Sequence, residues 1–355
     1  MPLRSLVIAL LLPALVSAQS TRRSLPAPTG QLNVEFSDLT SVRELADGRV
    51  LLFDRKEERL VVADFTTGSV KDVARKGQGP TEFEFVAALL PLAGDTTIAA
   101  DLTRRWLVLV GDSVVRKLLP EHPALQRIAL APLGADRVHV LSRSFGERRD
   151  SSGVVLVNRT SGDADTVARL ANEGRRSPVL GTATIPGLGT SARFGNIPLR
   201  SSESPFLFPD GWIAIVRLDP YRVDWRAPDG RWTLGAPLPF RTGRMTAAEK
   251  AAYILRKPGF RNATDWPDEL PPFEDPMKLL GSPEGFVLVT RLVTRAEPGT
   301  RYDVIDKTGK RRGQLVLGNN EHILGFGTTS VYVIATDSDG IQRLRRHPWL
   351  ASLRP

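Results

Sequence analysis

The chain has 355 residues, of which 41% are hydrophobic and 25% charged, and its 30 glycines and 27 prolines indicate a globular protein with many turns. It contains no cysteine, which excludes disulfide bonds, thiolate metal sites and thiol nucleophiles. The formal charge of +9 comes from 48 basic and 39 acidic residues, but the basic clusters are scattered along the chain, which argues against nucleic-acid binding.

The first 18 residues have the pattern of a secretory signal peptide. Arg4 precedes an apolar run at residues 6–16, and small residues lead up to a cleavage point after Ala18. The run is shorter than the roughly 20 residues of a membrane-spanning helix and is interrupted by Pro13. We therefore expect a secreted or periplasmic protein without a membrane span, made of residues 19–355.

The rest of the chain consists of six similar units of short predicted strands. In each unit, β-branched and aromatic residues alternate and are interrupted by tight turns such as Asp47-Gly48 and Thr67-Gly68, which is typical of successive antiparallel hairpins. The units begin near residues 39, 85, 125, 205, 277 and 323. Repetition with a period of about 40 to 50 residues predicts a β-propeller with one four-stranded blade per unit.

The sixth unit contains only three predicted strands, and a spare strand, Leu32 to Ser37, precedes the first unit. Pairing of this spare strand with the sixth unit would close the ring and remove two exposed strand edges. We therefore predict an all-β fold, a six-bladed β-propeller closed by an N-terminal strand, with a short helical insertion between blades 4 and 5.

The linker after the first unit is Gly77-Gln78-Gly79-Pro80-Thr81-Glu82-Phe83. It is similar to the Gly-x-Gly-Pro-Gly-Glu-Phe linker of secreted six-bladed β-propellers related to NHL-repeat and TolB-like propellers, with Thr81 in place of a glycine. The blade pattern extends this resemblance over nearly the whole chain after residue 18. Most members of that family have no assigned activity, so the resemblance implies a fold and export but no reaction.

Two insertions, residues 171–200 and 242–276, interrupt the repeats. The first is rich in Gly, Ser, Thr and Pro and has no periodicity, which is typical of a functional or disordered loop. The second lies between the fourth and fifth units and contains a predicted helix over Ala247–Arg256, because Thr246 and Glu249 have the spacing of a capping box.

The end of the second insertion carries Trp266 among prolines and acidic residues. This composition favours an ordered lid across one face of the propeller, and Trp266 would then contact a ligand. The alternative is that the insertion only packs against the blades. Four of the other tryptophans lie in predicted strands, where a large aromatic side chain usually packs between blades.

One position, at the end of the second strand of each unit, carries a charged residue in all six units. In unit order these residues are Asp54, Asp101, Arg143, Arg217, Arg291 and Asp337. The second strand neighbours the strand that lines the channel, so these side chains are predicted to surround one mouth, with an acidic and a basic half. The three arginines are candidate contacts for a carboxylate or phosphate. The alternative is structural, with aspartates capping turns and arginines pairing with them.

The sequence assigns neither a metal site nor a cofactor. The histidines, His122, His139, His322 and His347, lie in different units without metal-ligand spacing. His139 alternates within an apolar strand, as a core histidine does. Asp337-Ser338-Asp339-Gly340 begins like a calcium loop but lacks the closing acidic residue, so we predict a hairpin turn there. No Gly-x-Ser-x-Gly elbow or Walker loop is present.

Three functions are compatible with these features. The first is an exported, monomeric, non-catalytic propeller that binds a small anionic molecule or a peptide at the charged face, with residues 242–276 as a lid. The second is a metal-assisted lactonase or related hydrolase with Asn196, Asn262 and Asn319 as candidate ligands, although the usual Glu-Gly-Pro motif of lactonases is absent. The third is an interaction platform for another exported protein. The uneven charge ring favours the first.

Overall fold

Six sheets, built of antiparallel strands except for one parallel N-terminal strand, follow one another along the chain in the computed structural model. It describes residues 22–101, 105–118, 125, 128–134, 136–142, 151–171, 179–185, 189–194, 197–199, 202–241, 243–273 and 279–349. The sheets are the blades of a six-bladed β-propeller, and the predicted fold class is confirmed.

Two short N-terminal strands, β1 (Arg22–Arg23) and β2 (Gly30–Gln31), precede the blades. Blade 1 contains β3 (Leu39–Glu44), β4 (Val50–Asp54), β5 (Arg59–Ala63) and β6 (Val70–Arg75). Blade 2 contains β7 (Val86–Pro91), β8 (Thr96–Asp101), β9 (Trp106–Val110) and β10 (Ser113–Leu118). Blade 3 contains β11 (Ile128–Leu133), β12 (Arg137–Leu141), β13 (Ser151–Asn158) and β14 (Ala164–Ala171).

A separate hairpin, β15 (Val179–Ile185) and β16 (Gly189–Phe194), follows blade 3. Blade 4 contains β17 (Ser204–Leu207), β18 (Ile213–Arg217), β19 (Arg222–Arg226) and β20 (Trp232–Thr233). After the helix α1 (Ala247–Arg256), blade 5 contains β21 (Leu280–Gly281), β22 (Val287–Thr290), β23 (Arg301–Ile305) and β24 (Arg311–Val316). Blade 6 contains β25 (Glu321–Phe326), β26 (Ser330–Thr336) and β27 (Gln342–Pro348).

The middle strands of the blades are buried on both faces. All five residues of β4 and all five of β23 are buried, because each blade is covered by a neighbour on either side. Such strands are continuous apolar runs rather than alternating ones. The core clusters lie between adjacent blades, as where Leu51 and Leu60 of blade 1 pack with Leu107 of blade 2. The core is therefore divided into layers around a central axis.

The N-terminal segment completes the last two blades. β2 pairs antiparallel with β27, and β1 pairs parallel with β24. The closing strand was predicted at residues 32–37, but β2 lies just before this range. Within residues 32–37, the Leu32 N–H donates to Leu344 O (3.0 Å) and Phe36 forms an isolated bridge with Gln342. Leu32 and Phe36 are nevertheless almost completely buried, at 0% and 2% exposed, so this segment is also part of the core between blades 6 and 1.

The linker between blades 1 and 2 is held by its own glutamate. Gly79 N–H donates to Glu82 Oε2 (2.9 Å), and a side chain at Gly77 would overlap the Glu82 carboxylate. The linker between blades 5 and 6 repeats this contact, because Gly318 N–H donates to Glu321 Oε2 (3.1 Å). The Gly-x-x-Glu spacing is therefore a structural motif of two blade junctions.

The expectation of an unpaired loop at residues 171–200 was wrong for part of the segment, because β15 and β16 form an antiparallel hairpin. The glycines and prolines suggested a loop, but Thr182, Thr184 and Ile185 are β-branched residues that favour paired strands. The remaining residues of this insertion lie partly outside the described residues.

The helix α1 spans the range predicted from its capping residues. Thr246 Oγ1 accepts from Glu249 N–H (3.2 Å), as in a capping box. The Glu249 carboxylate does not return to Thr246, and instead accepts from Arg295 N–H of blade 5 (3.2 Å). The Glu249 side chain therefore attaches the helix to blade 5. No helix of the described chain is long and apolar enough to cross a membrane.

Candidate functional site

A cavity of about 1020 Å³ runs along the propeller axis between the inner strands of blades 2 to 6. Its walls are mainly apolar and include Leu89, Leu130, Leu141, Leu170, Phe206 and Phe326. The first strands create this space because each contributes one strand edge to the axis. We call this cavity the central channel.

Charged and polar side chains of the described lining lie towards the two ends of the central channel. We call the end at which the first strand of each blade begins the upper face, where Ser152, Ser202 and Glu203 line the channel. At the opposite end, the lower face, the lining includes Asp210 and Lys307. The channel is thus an apolar tube with polar ends.

The predicted charged ring is on the upper face but outside the channel lining. Asp54 lies opposite Leu39 and Asp101 opposite Val86, at the beginning of the first strands of their blades. Arg143 lies outside the described residues. The remaining predicted site residues are not among the described residues that line the central channel. They are Asp54, Asp101, Arg217, Arg291, Asp337 and Trp266.

Asp54 holds the chain where it enters blade 1. It is completely buried, and its carboxylate accepts from the N–H groups of Ser37 (2.9 Å), Asp38 (3.1 Å) and Glu57 (3.2 Å). The Asp54 carboxylate therefore accepts three backbone hydrogen bonds and has no contact with solvent.

Asp101 has the equivalent contacts in blade 2. It accepts from the N–H groups of Glu84 (2.7 Å) and Phe85 (3.1 Å), which lead into β7, and it is 5% exposed. Asp337 in blade 6 instead caps its own hairpin turn. The pKa of its carboxyl is lowered, first by the Ile341 N–H (2.9 Å), and it pairs with Arg343.

Arg217 is held between two carboxylates. Its Nη1 lies 2.6 Å from Glu203 Oε2 and its Nε 2.8 Å from Asp224 Oδ2. Burial tends to raise the pKa of Asp224, but hydrogen bonds from Arg222, Arg217 and Gly235 outweigh it, so the pKa lies below its ordinary value. The charge of Arg217 is thus neutralised by its two carboxylate partners. Arg217 lies beside the channel, because its partner Glu203 is one of the lining residues.

Arg291 has the same kind of partner in blade 5. Its Nη1 lies 3.4 Å from Asp303 Oδ2, and its guanidinium is 5.2 Å from the Tyr221 ring centroid and 5.6 Å from that of Phe240. Tyr221 Oη also donates to Asp303 (3.0 Å), and burial, followed by the Asp303 charge, raises the pKa of Tyr221. Arg291 is therefore a buried member of a network between blades 4 and 5.

Trp266 packs inside the insertion. Its Nε1 donates to Ala263 O (2.9 Å), and its ring meets Tyr253 of α1 edge-on at 5.7 Å. Tyr253 in turn packs with Leu199, ahead of blade 4, and with Leu292 of blade 5. The insertion therefore bridges the entrance of blade 4 and a loop of blade 5 on the upper face.

The carboxylate partners of the arginines were missed by the sequence analysis, although a repeated signal marks them. The third strands of blades 4 and 5 both begin Arg-x-Asp, as Arg222-Val223-Asp224 and Arg301-Tyr302-Asp303. Asp224 lies opposite Ile215 and Asp303 opposite Val289, so each aspartate faces the residue two before the predicted arginine. This register brings Asp224 to Arg217 and Asp303 to Arg291.

The hydrolase hypothesis requires a metal site. Among the described residues, no group of three or more His, Asp or Glu side chains is arranged to hold a metal ion. Asn196, a predicted ligand of the hydrolase hypothesis, lies outside the described residues, and Asn262 is in the helical insertion.

His139, on β12, predicts a pH dependence of stability. Burial lowers its pKa to about 4, the hydrogen bond with the Ala131 backbone opposes this, and Arg137 and Arg226 lower the pKa further. The ordinary pKa is about 6.5, so the fold favours the neutral ring. Its stabilising effect is complete above about pH 6.5 and is lost as the pH falls towards 4, by up to about 3 kcal/mol.

We therefore expect His139→Leu to reduce the fall in unfolding free energy between pH 6.5 and pH 4. Urea denaturation of the unmodified protein and of His139→Leu across this pH range measures the unfolding free energy of each. The titration of all other groups contributes equally to both proteins and cancels in the difference. Equal slopes in the two proteins would show that His139 is not the group responsible.

Comparison with known proteins adds evidence on the fold. Neither a protein-family model nor a curated protein matches this chain. A Bacteroides fragilis protein described as exported has a similar structure, with a TM-score of 0.51 and 10% identity, over 93% of this chain and 99% of that one. The chain is a six-bladed β-propeller.

Two further solved structures are similar at lower scores. The calcium-binding protein regucalcin from Agrobacterium tumefaciens has a TM-score of 0.43 and 13% identity, over 93% of this chain and 97% of its own. A DUF4221 family member from Bacteroides vulgatus has a TM-score of 0.46 and 9% identity, over 90% and 97%. At scores below 0.5, neither similarity bears on the fold or the function of this chain.

Proposed function

We propose that this protein is an exported β-propeller that binds a small ligand in its central channel. The observation that carries the proposal is the axial cavity of about 1020 Å³, with apolar walls and polar groups at its ends. Small-molecule sites commonly have volumes of about 300 to 1,000 Å³ and combine apolar walls with a few polar groups. The channel has this size and this composition.

Export is part of the proposal. It is supported by the signal-peptide pattern of residues 1–18 and by the similarity to a protein described as exported. The relationship to NHL-repeat and TolB-like propellers is likewise proposed, on the six blades and the linker at residues 77–83.

The central channel is a better candidate than the charged ring. An anion at the upper face would have to compete with Glu203 and Asp224 for Arg217, and with Asp303 for Arg291. Asp54 would have to give up three backbone hydrogen bonds to contact a ligand. The roles of Arg143 as an anion contact and of residues 242–276 as a lid remain predictions. No observation on the described residues favours the hydrolase or platform hypotheses.

Placing a large side chain in the channel should weaken ligand binding. Ala87 of β7 is exposed and lines the channel, so Ala87→Phe places a ring in the cavity without enlarging a core residue. We expect it to weaken binding of the apolar fluorescent probe N-phenyl-1-naphthylamine by about tenfold or more. Fluorescence titration measures the Kd.

The matched control is Ala164→Phe, at an exposed position of the outer strand β14. It adds the same apolar surface to the outside of the propeller, so its affinity for the probe should equal that of the unmodified protein. If Ala87→Phe also binds the probe normally while remaining folded, the channel is not the site.

A further inference from the structure

The wall of the central channel is formed by strand edges. β7, β11 and β17 each lie at one end of the strand order of their sheet, so one edge of each faces the axis. Along an antiparallel edge strand, the backbone N–H and C=O groups of alternate residues point towards the neighbouring strand and towards the free edge. Free-edge residues would normally present both a donor and an acceptor to the channel.

Prolines occupy such free-edge positions in two neighbouring blades. In β7, Leu92 N–H donates to Thr96 O (2.9 Å), so the preceding residue, Pro91, directs its backbone into the channel. Pro132 has the same position in β11, one residue before its turn, where it lies opposite Val138. Both prolines line the cavity.

A third proline is placed in the same way in blade 4. Phe208 N–H donates to Trp212 O (2.9 Å), which directs Pro205, three residues earlier, to the channel edge of β17. Pro205 also lines the cavity. Proline has no N–H group, so each of these residues offers a carbonyl oxygen without the donor that normally accompanies it. The wall is therefore enriched in hydrogen-bond acceptors.

The charged groups of the described lining already have partners. Glu203 pairs with Arg217 (2.6 Å), Asp210 pairs with Lys307 (2.9 Å), and Glu284 accepts from Trp349 Nε1 (2.7 Å). Lys307 Nζ also lies 4.7 Å from the centroid of the Trp212 ring. An anion entering the channel would therefore find no ready cationic partner in the described lining, and the acceptor bias of the wall comes from the proline carbonyls.

We infer that the central channel selects an apolar molecule that carries an ammonium or similar cationic hydrogen-bond donor, in preference to an apolar anion. The inference rests on the proposed function of the channel as the ligand site. An ammonium group donates to carbonyl oxygens, and the three prolines present these oxygens to the channel without the N–H donors that normally accompany them. The chain as a whole has a formal charge of +9 and would attract anions, so a preference for a cation has to arise in the channel itself.

Three probes of equal chain length test this selectivity. Decylammonium, undecanoate and decanol all carry a ten-carbon alkyl chain and are used to displace N-phenyl-1-naphthylamine from the protein at neutral pH, the two ions below their micelle concentrations and decanol within its solubility. Equal alkyl chains cancel the apolar contribution, so the differences report the head group. We expect decylammonium to bind about tenfold or more tightly than undecanoate, with decanol in between.

Pro205→Val tests the origin of the preference, because valine restores an N–H donor at the channel edge. We expect it to reduce the ratio of decylammonium to undecanoate affinity by a few-fold. Pro298→Val, at an exposed loop position, is the control and should leave the ratio unchanged.

The outcomes separate this inference from the proposed function. Equal or tighter binding of undecanoate, or an unchanged ratio in Pro205→Val, overturns the cation preference while the channel remains the site. If no probe binds, or if Ala87→Phe leaves binding intact, both proposals fail together.

Discussion

Replacing Asp303 with alanine is expected to lower the free energy of unfolding by about 3 to 5 kcal/mol. Asp303 is completely buried and accepts hydrogen bonds from Tyr221 Oη (3.0 Å) and Gln314 Nε2 (2.8 Å). It also lies 3.4 Å from the guanidinium groups of both Arg291 and Arg311. Without the carboxylate, two guanidinium groups that are only 9% and 14% exposed lose their shared counter-ion. The cost is that of buried charge left without a partner.

The matched control is Asp229→Ala, which removes an aspartate that also pairs with an arginine, Arg231, at 2.6 Å. Both of these side chains are largely exposed, so water replaces the lost contact and the loss of stability should be much smaller than that of Asp303→Ala. Urea denaturation of the two variants measures the difference. Similar small losses in both would mean that the Asp303 network contributes no more than a surface ion pair.

Phe36→Ala is expected to destabilise the protein by about 3 to 5 kcal/mol, because it leaves a cavity in the core where the ring closes. Phe36 is 2% exposed and packs in one cluster with Tyr332 and Leu344 of blade 6. Its N–H donates to Gln342 O (2.9 Å), so its side chain also supports the pairing of the N-terminal segment with blade 6.

Hydrogen exchange distinguishes this effect from general destabilisation. In Phe36→Ala, the amides at the outer edge of blade 6 should exchange faster under native conditions than those of blade 3. Phe85→Ala is the control, since Phe85 is 47% exposed and its truncation removes little packing. If Phe36→Ala is as stable as Phe85→Ala, the N-terminal segment does not contribute to the closed ring in the way described.

The blades were predictable because the turns between their strands depend on adjacent residues. Turns such as Asp47-Gly48 and Asp229-Gly230 have glycines with positive φ, at 83° and 91°, and this requirement is visible in two consecutive letters of the sequence. The helix was predictable for the same reason, since Thr246 meets Glu249 within one turn. The hairpin at residues 179–194 was missed because its many glycines outweighed its β-branched residues in the interpretation of that segment.

The candidate site was less predictable because the roles of its residues depend on partners that are far away in the sequence. Nothing near Asp54 in the sequence distinguishes a carboxylate that accepts backbone amides from one that contacts a ligand. Channel residues such as Leu130 and Phe206 have the same apolar character as core residues, and only the closed ring gives them a cavity to line. Pro91 and Pro205 are informative only once the free edge of each inner strand is known.

Joining the first part of the described chain to the last two blades has a consequence for biogenesis. Arg22 meets Gln314 and Gly30 meets Arg346, so these residues gain their strand partners only once blades 5 and 6 have formed. Before the N-terminal segment pairs with them, blades 5 and 6 keep open edges that are prone to intermolecular pairing. Contacts of such long sequence separation form slowly, and the interval between the formation of these two blades and ring closure is therefore when this protein would depend most on chaperones.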